Sequence, residues 1–191
     1  MTNIITKIRQ ILNETAQDGF DIFTFETSRV FNLTESLIIT VDTVIVNDIE
    51  VAESGNWSYN ATTNKLTFED DYTFTASSSI EIYYSYYSNY SDTEIRNYIK
   101  SAIYSLTTYG YKTFVLTGSG SNTVNPEPTQ EEENLIALIA SILMRPNNTN
   151  IRMPDLSISQ AGKVLNTEEK ISRAVAAFKK TQSTHGLFYI A

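Results

Sequence analysis

Four places in the chain carry residue types that could do chemistry. Glu69-Asp70-Asp71 is an acid cluster outside any helical pattern. Converging carboxylates could hold a divalent cation or form half of a carboxylate pair. Adjacent strand residues point to opposite faces, however, so a solvated turn is the better reading. His185 is the sole histidine and lies in the loop-like stretch Ser183-Thr184-His185-Gly186. Ser183 and Thr184 are too near in sequence to imply a triad, so an ordinary exposed histidine is expected. Gly118-Ser-Gly-Ser lacks the lysine and the adjoining helix of a phosphate loop and reads as a linker. Tyr83, Tyr84, Tyr86, Tyr87 and Tyr90 form a tyrosine series suited either to stacking on sugars or to packing and protein contact.

Alternation along Ile80-Glu-Ile-Tyr-Tyr-Ser-Tyr-Tyr decides how that series divides. Ile80, Ile82, Tyr84 and Tyr86 share one face, and Glu81, Tyr83, Ser85 and Tyr87 share the other. The first face reads as core. The second combines area with a polar handle, and Tyr83 and Tyr87 are its candidate interface residues.

The elements around these residues follow from periodicity. Ile4, Ile5, Ile8, Ile11 and Leu12 form one stripe, predicting an amphipathic helix over residues 2–16 that ends at Asp18-Gly19. Residues 30–31, 37–46, 57–59, 65–68, 72–74 and 80–87 are short stretches rich in β-branched and aromatic residues and read as strands. Turns are expected at Asn47-Asp48 and at Thr62-Thr63-Asn64, giving a meander or small sandwich. Ser91 and Glu94 form a capping-box pattern opening a second helix over residues 91–108. An extended segment is expected over residues 111–116, then a flexible loop from Gly118 to Pro128. Thr129 and Glu132 repeat the capping-box pattern before Leu135, Ile136, Leu138, Ile139, Ile142 and Leu143. Those residues surround much of the third helix, predicting burial on several sides until Pro146 stops it. Residues 147–165 read as irregular, with a short strand at 156–159. A fourth helix is expected over residues 167–180 with Asn166 as its cap. Leu187, Phe188, Tyr189 and Ile190 then form an apolar arm expected to add as a strand, within the subunit or to a neighbour.

The predicted architecture is therefore α+β. A small body of about four helices (residues 1–25 and 91–191) carries an inserted antiparallel β-module (residues 26–90) and an extended C-terminal arm.

Bulk properties limit the function classes. The chain has 191 residues, no cysteine and a net charge of −8. Disulfides, thiolate metal sites and cysteine nucleophiles are excluded, and one histidine excludes multi-histidine zinc sites. No metal or cofactor is expected. Residues 18–95 carry fourteen acids against Arg29 and Lys65, a net of −12, while residues 161–191 carry +3. Free nucleic acid is a poor partner for such a surface; the two regions either meet head to tail between copies or are two solvated faces with no mutual contact. No apolar run is long enough to span a membrane, and the N-terminus has no secretory pattern.

The motifs Val44-Ile-Val-Asn-Asp-Ile-Glu-Val, Trp57-Ser-Tyr-Asn and Lys65-Leu-Thr-Phe come first in order. Ile80-Glu-Ile-Tyr-Tyr-Ser-Tyr-Tyr then leads into Tyr90-Ser-Asp-Thr-Glu-Ile-Arg-Asn-Tyr-Ile-Lys-Ser-Ala, and Glu131-Glu-Glu-Asn-Leu-Ile-Ala-Leu-Ile-Ala-Ser-Ile-Leu follows. In this order and spacing the chain resembles the head–tail connector (neck adaptor) proteins of tailed bacteriophages. The resemblance covers most of the chain and implies a non-enzymatic virion structural protein, assembled in the host cytoplasm and placed at the head–tail junction. It implies a homo-oligomeric ring, dodecameric to match the portal. Its partners would be the portal protein, a downstream neck or tail-completion protein, and genomic DNA passing without specific binding. The arm at residues 187–190 would grip the portal or a neighbour. The alternative is a β-rich tail or accessory module that recognises carbohydrate or a host surface, with an exposed aromatic cluster around Trp57, Tyr59 and Tyr87. A carboxylate-pair hydrolase is the least supported class, since no two acids are placed to face each other.

Overall fold

A computed structural model describes residues 1–118, 123–147, 150–152, 157–159 and 166–185. It divides into two compact units, Met1–Glu14 with Asp92–Ala191, and Thr15–Ser91. The class is α+β, with the antiparallel β-unit inserted between helices as the sequence predicts.

The helical unit contains α1 (Thr2–Leu12), α2 (Asp92–Thr108), α3 (Gln130–Met144) and α4 (Thr167–His185). Helix α3 is the centre and packs against the other three. Ile136, Ala137, Leu138, Ile139, Ala140 and Ile142 are all fully buried, so the helix is apolar around its circumference because it is enclosed on several sides. Ser141 sits on that buried surface and donates to the Ala137 carbonyl at 2.8 Å. Of the stripe predicted for α1, Ile4, Ile5, Ile8 and Leu12 are buried and Ile11 is half-buried. Helix α2 buries Ile95, Ile99, Ala102, Ile103 and Leu106, and α4 buries Ile171, Ala174, Val175 and Phe178.

Caps fix where these helices begin and end. The Glu132 amide donates to Thr129 Oγ1 at 3.2 Å, and the Thr129 amide donates to Glu132 Oε2 at 2.9 Å, completing the expected box. Asn166 caps α4 and forms the same reciprocal pair with Glu169, at 2.8 and 3.3 Å. Lys179 Nζ donates to the carbonyls of Tyr109 and Gly110, beyond the last turn of α2.

Several boundaries differ from the sequence expectation. Helix α1 ends at Leu12 because Asn13 adopts the left-handed conformation (φ 53°). Asp18-Gly19 does not end it. These residues lie in β1 (Gln17–Thr24), which belongs to the β-unit, so the first connector lies near residue 14 rather than 25. Helix α4 runs five residues beyond Lys180 and includes His185, which is helical rather than in a loop. Within residues 111–116 only Val115 and Leu116 are strand. They belong to β8 (Val115–Thr117), which pairs with β9 (Thr123–Asn125), so part of the expected flexible loop is a hairpin arm. The short strand expected at residues 156–159 is β11 (Ser157–Ser159), paired with β10 (Asn150–Arg152). The arm residues Leu187, Phe188, Tyr189 and Ile190 lie outside the described residues.

The β-unit is a two-sheet sandwich. One sheet has the order β1-β7-β3-β4, with β7 at Ser79–Tyr86, β3 at Ile38–Val46 and β4 at Ile49–Glu50. The other has the order β2-β6-β5, with β2 at Val30–Asn32, β6 at Lys65–Phe68 and β5 at Trp57–Asn60. Both sheets contribute to one core: Val44, Val46, Ile80, Ile82 and Tyr84 from the first, Phe31, Trp57, Leu66 and Phe68 from the second. The Asn47-Asp48 turn has both residues at positive φ (49° and 65°), the type I′ geometry that matches strand twist. The other expected turn is held by Asn60 Oδ1, which accepts from the Thr62 and Thr63 amides. Residues 72–74 form no strand. Tyr72 and Phe74 instead fold their rings onto Phe68, at 5.0 and 4.8 Å between centroids.

Candidate functional site

Helices of the helical unit and strands of the sandwich position the sequence candidates very differently. Glu69, Asp70 and Asp71 lie exposed in a turn closed by the Tyr72 amide donating to the Glu69 carbonyl. Arg29 staples this turn from below, its Nη1 donating to the Glu69 and Tyr72 carbonyls at 2.7 and 2.8 Å. The three side chains are therefore a solvated turn. Among the described residues, no three acids, histidines or cysteines come together as a metal-ion site.

The aromatic cluster expected of a carbohydrate module does not form. Trp57 is a core residue at 6% exposure and donates through Nε1 to the Val51 carbonyl at 2.9 Å. Tyr59 packs half-buried on the same core, and its hydroxyl bonds Asn64 Oδ1. Tyr87 is half-buried at the end of β7.

The tyrosine strand divides as its alternation predicts. Ile80, Ile82 and Tyr84 are buried, and Tyr86 packs on the core's edge. Tyr84 crosses Gly19, its register partner on β1. A Cβ at Gly19 would lie 2.5 Å from the Tyr84 ring, so only glycine fits there. The Tyr84 hydroxyl donates to Asp21 Oδ2 at 3.1 Å. Asp21 also accepts from the Thr34 amide and hydroxyl, tying β1 to the segment after β2.

The opposite face of this sheet is the most unusual surface of the β-unit. Phe20 is 59% exposed, Ile22 60% and Tyr83 38%. Register sets Phe20 beside Tyr83, which in turn lies beside Thr43, and sets Ile22 beside Glu81, which lies beside Ile45. The Phe20 and Tyr83 rings stack at 5.9 Å, 18° from parallel. Tyr83 donates to Glu81 Oε2 at 2.9 Å, and that bond raises its phenol above the ordinary value. The result is an aromatic and aliphatic row rimmed by Glu81, Asp42 and Ser85, with Ser85 donating to Asp42 at 2.7 Å. A contiguous exposed apolar row with a polar rim is the composition of a protein contact surface. Tyr83 was legible as part of it. Phe20 and Ile22 were not, because residues 17–24 did not read as a strand.

One polar cluster of the helical unit centres on Glu132. Glu132 accepts from Tyr111 (2.9 Å), Lys112 (3.1 Å) and the Thr129 amide. Burial raises its carboxyl, but those three donors outweigh burial and hold it below the ordinary carboxylate range. Burial first, then the bond to Glu132, pushes the Tyr111 phenol up to about 12. In the β-unit, burial and then the bond to Asp21 push Tyr84 to about 12.

Both phenols therefore stay protonated in the folded chain where the unfolded chain's ionise. Stability from them is complete below pH 10.0, the ordinary tyrosine value, and falls as pH rises from there toward about 12. The carboxyl of Glu132 acts oppositely, its contribution fading as pH falls through its lowered value. Urea midpoints should be flat through neutral pH and drop on the alkaline side. Tyr84→Phe should be less stable at neutral pH but show a shallower alkaline drop. An unchanged alkaline slope in that variant would contradict the assignment.

The chain matches no protein-family model and no curated protein. Among the described residues, no helix is long and apolar enough to cross a membrane.

Proposed function

We propose that this chain is a structural protein of a tailed-phage virion, a neck adaptor that forms a homo-oligomeric ring at the portal vertex. In that role it joins the portal to the next neck or tail-completion protein and extends the channel through which DNA passes. The order of elements supports the reading: a helix, a β-insertion, then a second helix leading to an enclosed, capped third. The observation that carries it furthest is the exposed row of Phe20, Ile22 and Tyr83 on the outer face of the β1-β7-β3 sheet. Such a row suits a repeated protein contact, since aromatic residues supply area at low entropy cost. The charge supports it too. A net of −12 over residues 18–95 repels phosphate and would let DNA slide past without binding.

Charged substitutions on this face separate folding from assembly. Phe20→Lys with Ile22→Lys should change stability by less than about 1 kcal/mol, since both side chains are exposed. The same pair should abolish recovery of the chain in neck complexes. Normal incorporation of the double variant would remove this face from the contact set. Recovery with glycan or envelope components, and no portal, would favour the accessory-module reading.

A further inference from the structure

We propose that the edge of β1 in one copy is the docking site for residues 186–191 of another copy, which add to the β1-β7-β3-β4 sheet as a further strand. This deepens the ring reading by naming the contact, and rests on it for the choice of a second copy as occupant.

Strand β1 is an edge strand. It pairs with β7 over all eight of its residues, and among the described residues no strand pairs with its other side. In an antiparallel ladder about half of an edge strand's backbone groups point away from its neighbour and can template another chain. Edges are normally guarded by lysine, proline or inward charges. The sequence Gln17-Asp-Gly-Phe-Asp-Ile-Phe-Thr has no lysine or proline, and its inner acid, Asp21, is occupied by Tyr84 and Thr34. Ile22 and Phe20 stand exposed on that edge, so an added strand would gain apolar neighbours as well as backbone bonds.

The occupant is written in the same sequence. Gly186-Leu-Phe-Tyr-Ile-Ala follows α4 and contains four consecutive large apolar residues in a chain of mean hydropathy −0.21. Six extended residues span about 20 Å, enough to pair with most of β1. The segment itself has no charged side chain; the +3 of residues 161–191 lies at positions 163–180, so charge draws the two regions together without placing a charged side chain in the added strand. Donor segment and acceptor edge are different surfaces of one chain. Their contact is therefore heterologous and can close into a ring.

The chain has no cysteine, so disulfide trapping needs no background removal. Full-length Ile22→Cys is mixed with each of four single variants, Leu187→Cys, Phe188→Cys, Tyr189→Cys and Ile190→Cys, and oxidised at high protein concentration. The control partner is Tyr104→Cys, more open than Ile22 (74% against 60% exposure) but on α2. The expected result is mixed disulfide between Ile22→Cys and alternate tail positions, lost when Tyr104→Cys replaces it and lost when Phe20→Lys is added. Equal trapping by Tyr104→Cys would overturn the docking site. An internally closed monomer from the Ile22→Cys/Tyr189→Cys double variant, with no mixed product between single variants, would overturn the second copy as occupant. The ring reading is judged separately, by imaging neck complexes built from the unmodified chain. Rings without specific trapping sink the docking site alone, and specific trapping without rings sinks the neck assignment alone.

Discussion

Replacing Arg9 with alanine is expected to destabilise the helical unit by about 3–5 kcal/mol, the range for stripping one partner from a buried ion pair. Arg9 is 5% exposed on α1, and its guanidinium donates to Glu14 Oε2 and to Asp92 Oδ1, each at 2.7 Å. Glu14 is the last residue before the chain leaves the helical unit, and Asp92 is the first after it returns. One side chain thus holds the two segments of the helical unit that flank the β-insertion. The two acids differ in their share of the effect. The Glu14 side chain is 1% exposed and would lose its Arg9 ion pair in a buried setting, whereas that of Asp92 is 52% exposed and can turn to water. Arg9→Ala should therefore be far worse than Asp92→Ala, and a double-mutant cycle should assign most of the coupling to Glu14. Urea unfolding checks it. A loss under about 1 kcal/mol in Arg9→Ala would mean that the pair is solvent-screened rather than buried.

Phe68→Ala is the second large effect, about 3–5 kcal/mol in the β-unit. Phe68 is 1% exposed on β6 and meets Phe31 edge-on at 6.0 Å and Phe74 at 4.8 Å. Truncation removes the ring that joins the second sheet to residues 72–74, and the rigid strand backbone around it leaves a cavity. Arg29 depends on the same packing, because its guanidinium lies over Phe74 while holding the 69–72 turn. Loss of the β-unit's near-ultraviolet signal at lower urea, with helical signal retained, is the expected pattern.

The helices were legible because their caps and stripes are local. Thr129 with Glu132, and Asn166, mark starts that need no tertiary information. The sandwich was legible where strands alternate strongly, as in β7, and at Asn47-Asp48, where the turn chemistry is explicit. Strand β1 was not, for a physical reason. Gly19 breaks its propensity, yet is required where the Tyr84 ring crosses, and Asp21 faces inward because Tyr84 and Thr34 bond it. Tertiary contact overrode local preference, and with β1 went Phe20 and Ile22, two of the three residues of the candidate contact row. Residues 72–74 failed in the opposite sense. Their aromatic content suggested a strand, but it serves a ring cluster on Phe68. Trp57, which only the accessory-module alternative would expose, is a core residue in the cluster that both sheets share.

The neck assignment stands or falls on where the chain sits in the particle. The direct measurement is recovery of the tagged full-length chain from cells making the particle, with partners identified by mass and complexes imaged by electron microscopy. The neck assignment predicts ring-shaped assemblies that contain portal and tail-completion proteins. Complexes that hold glycan or envelope components and no portal would contradict it.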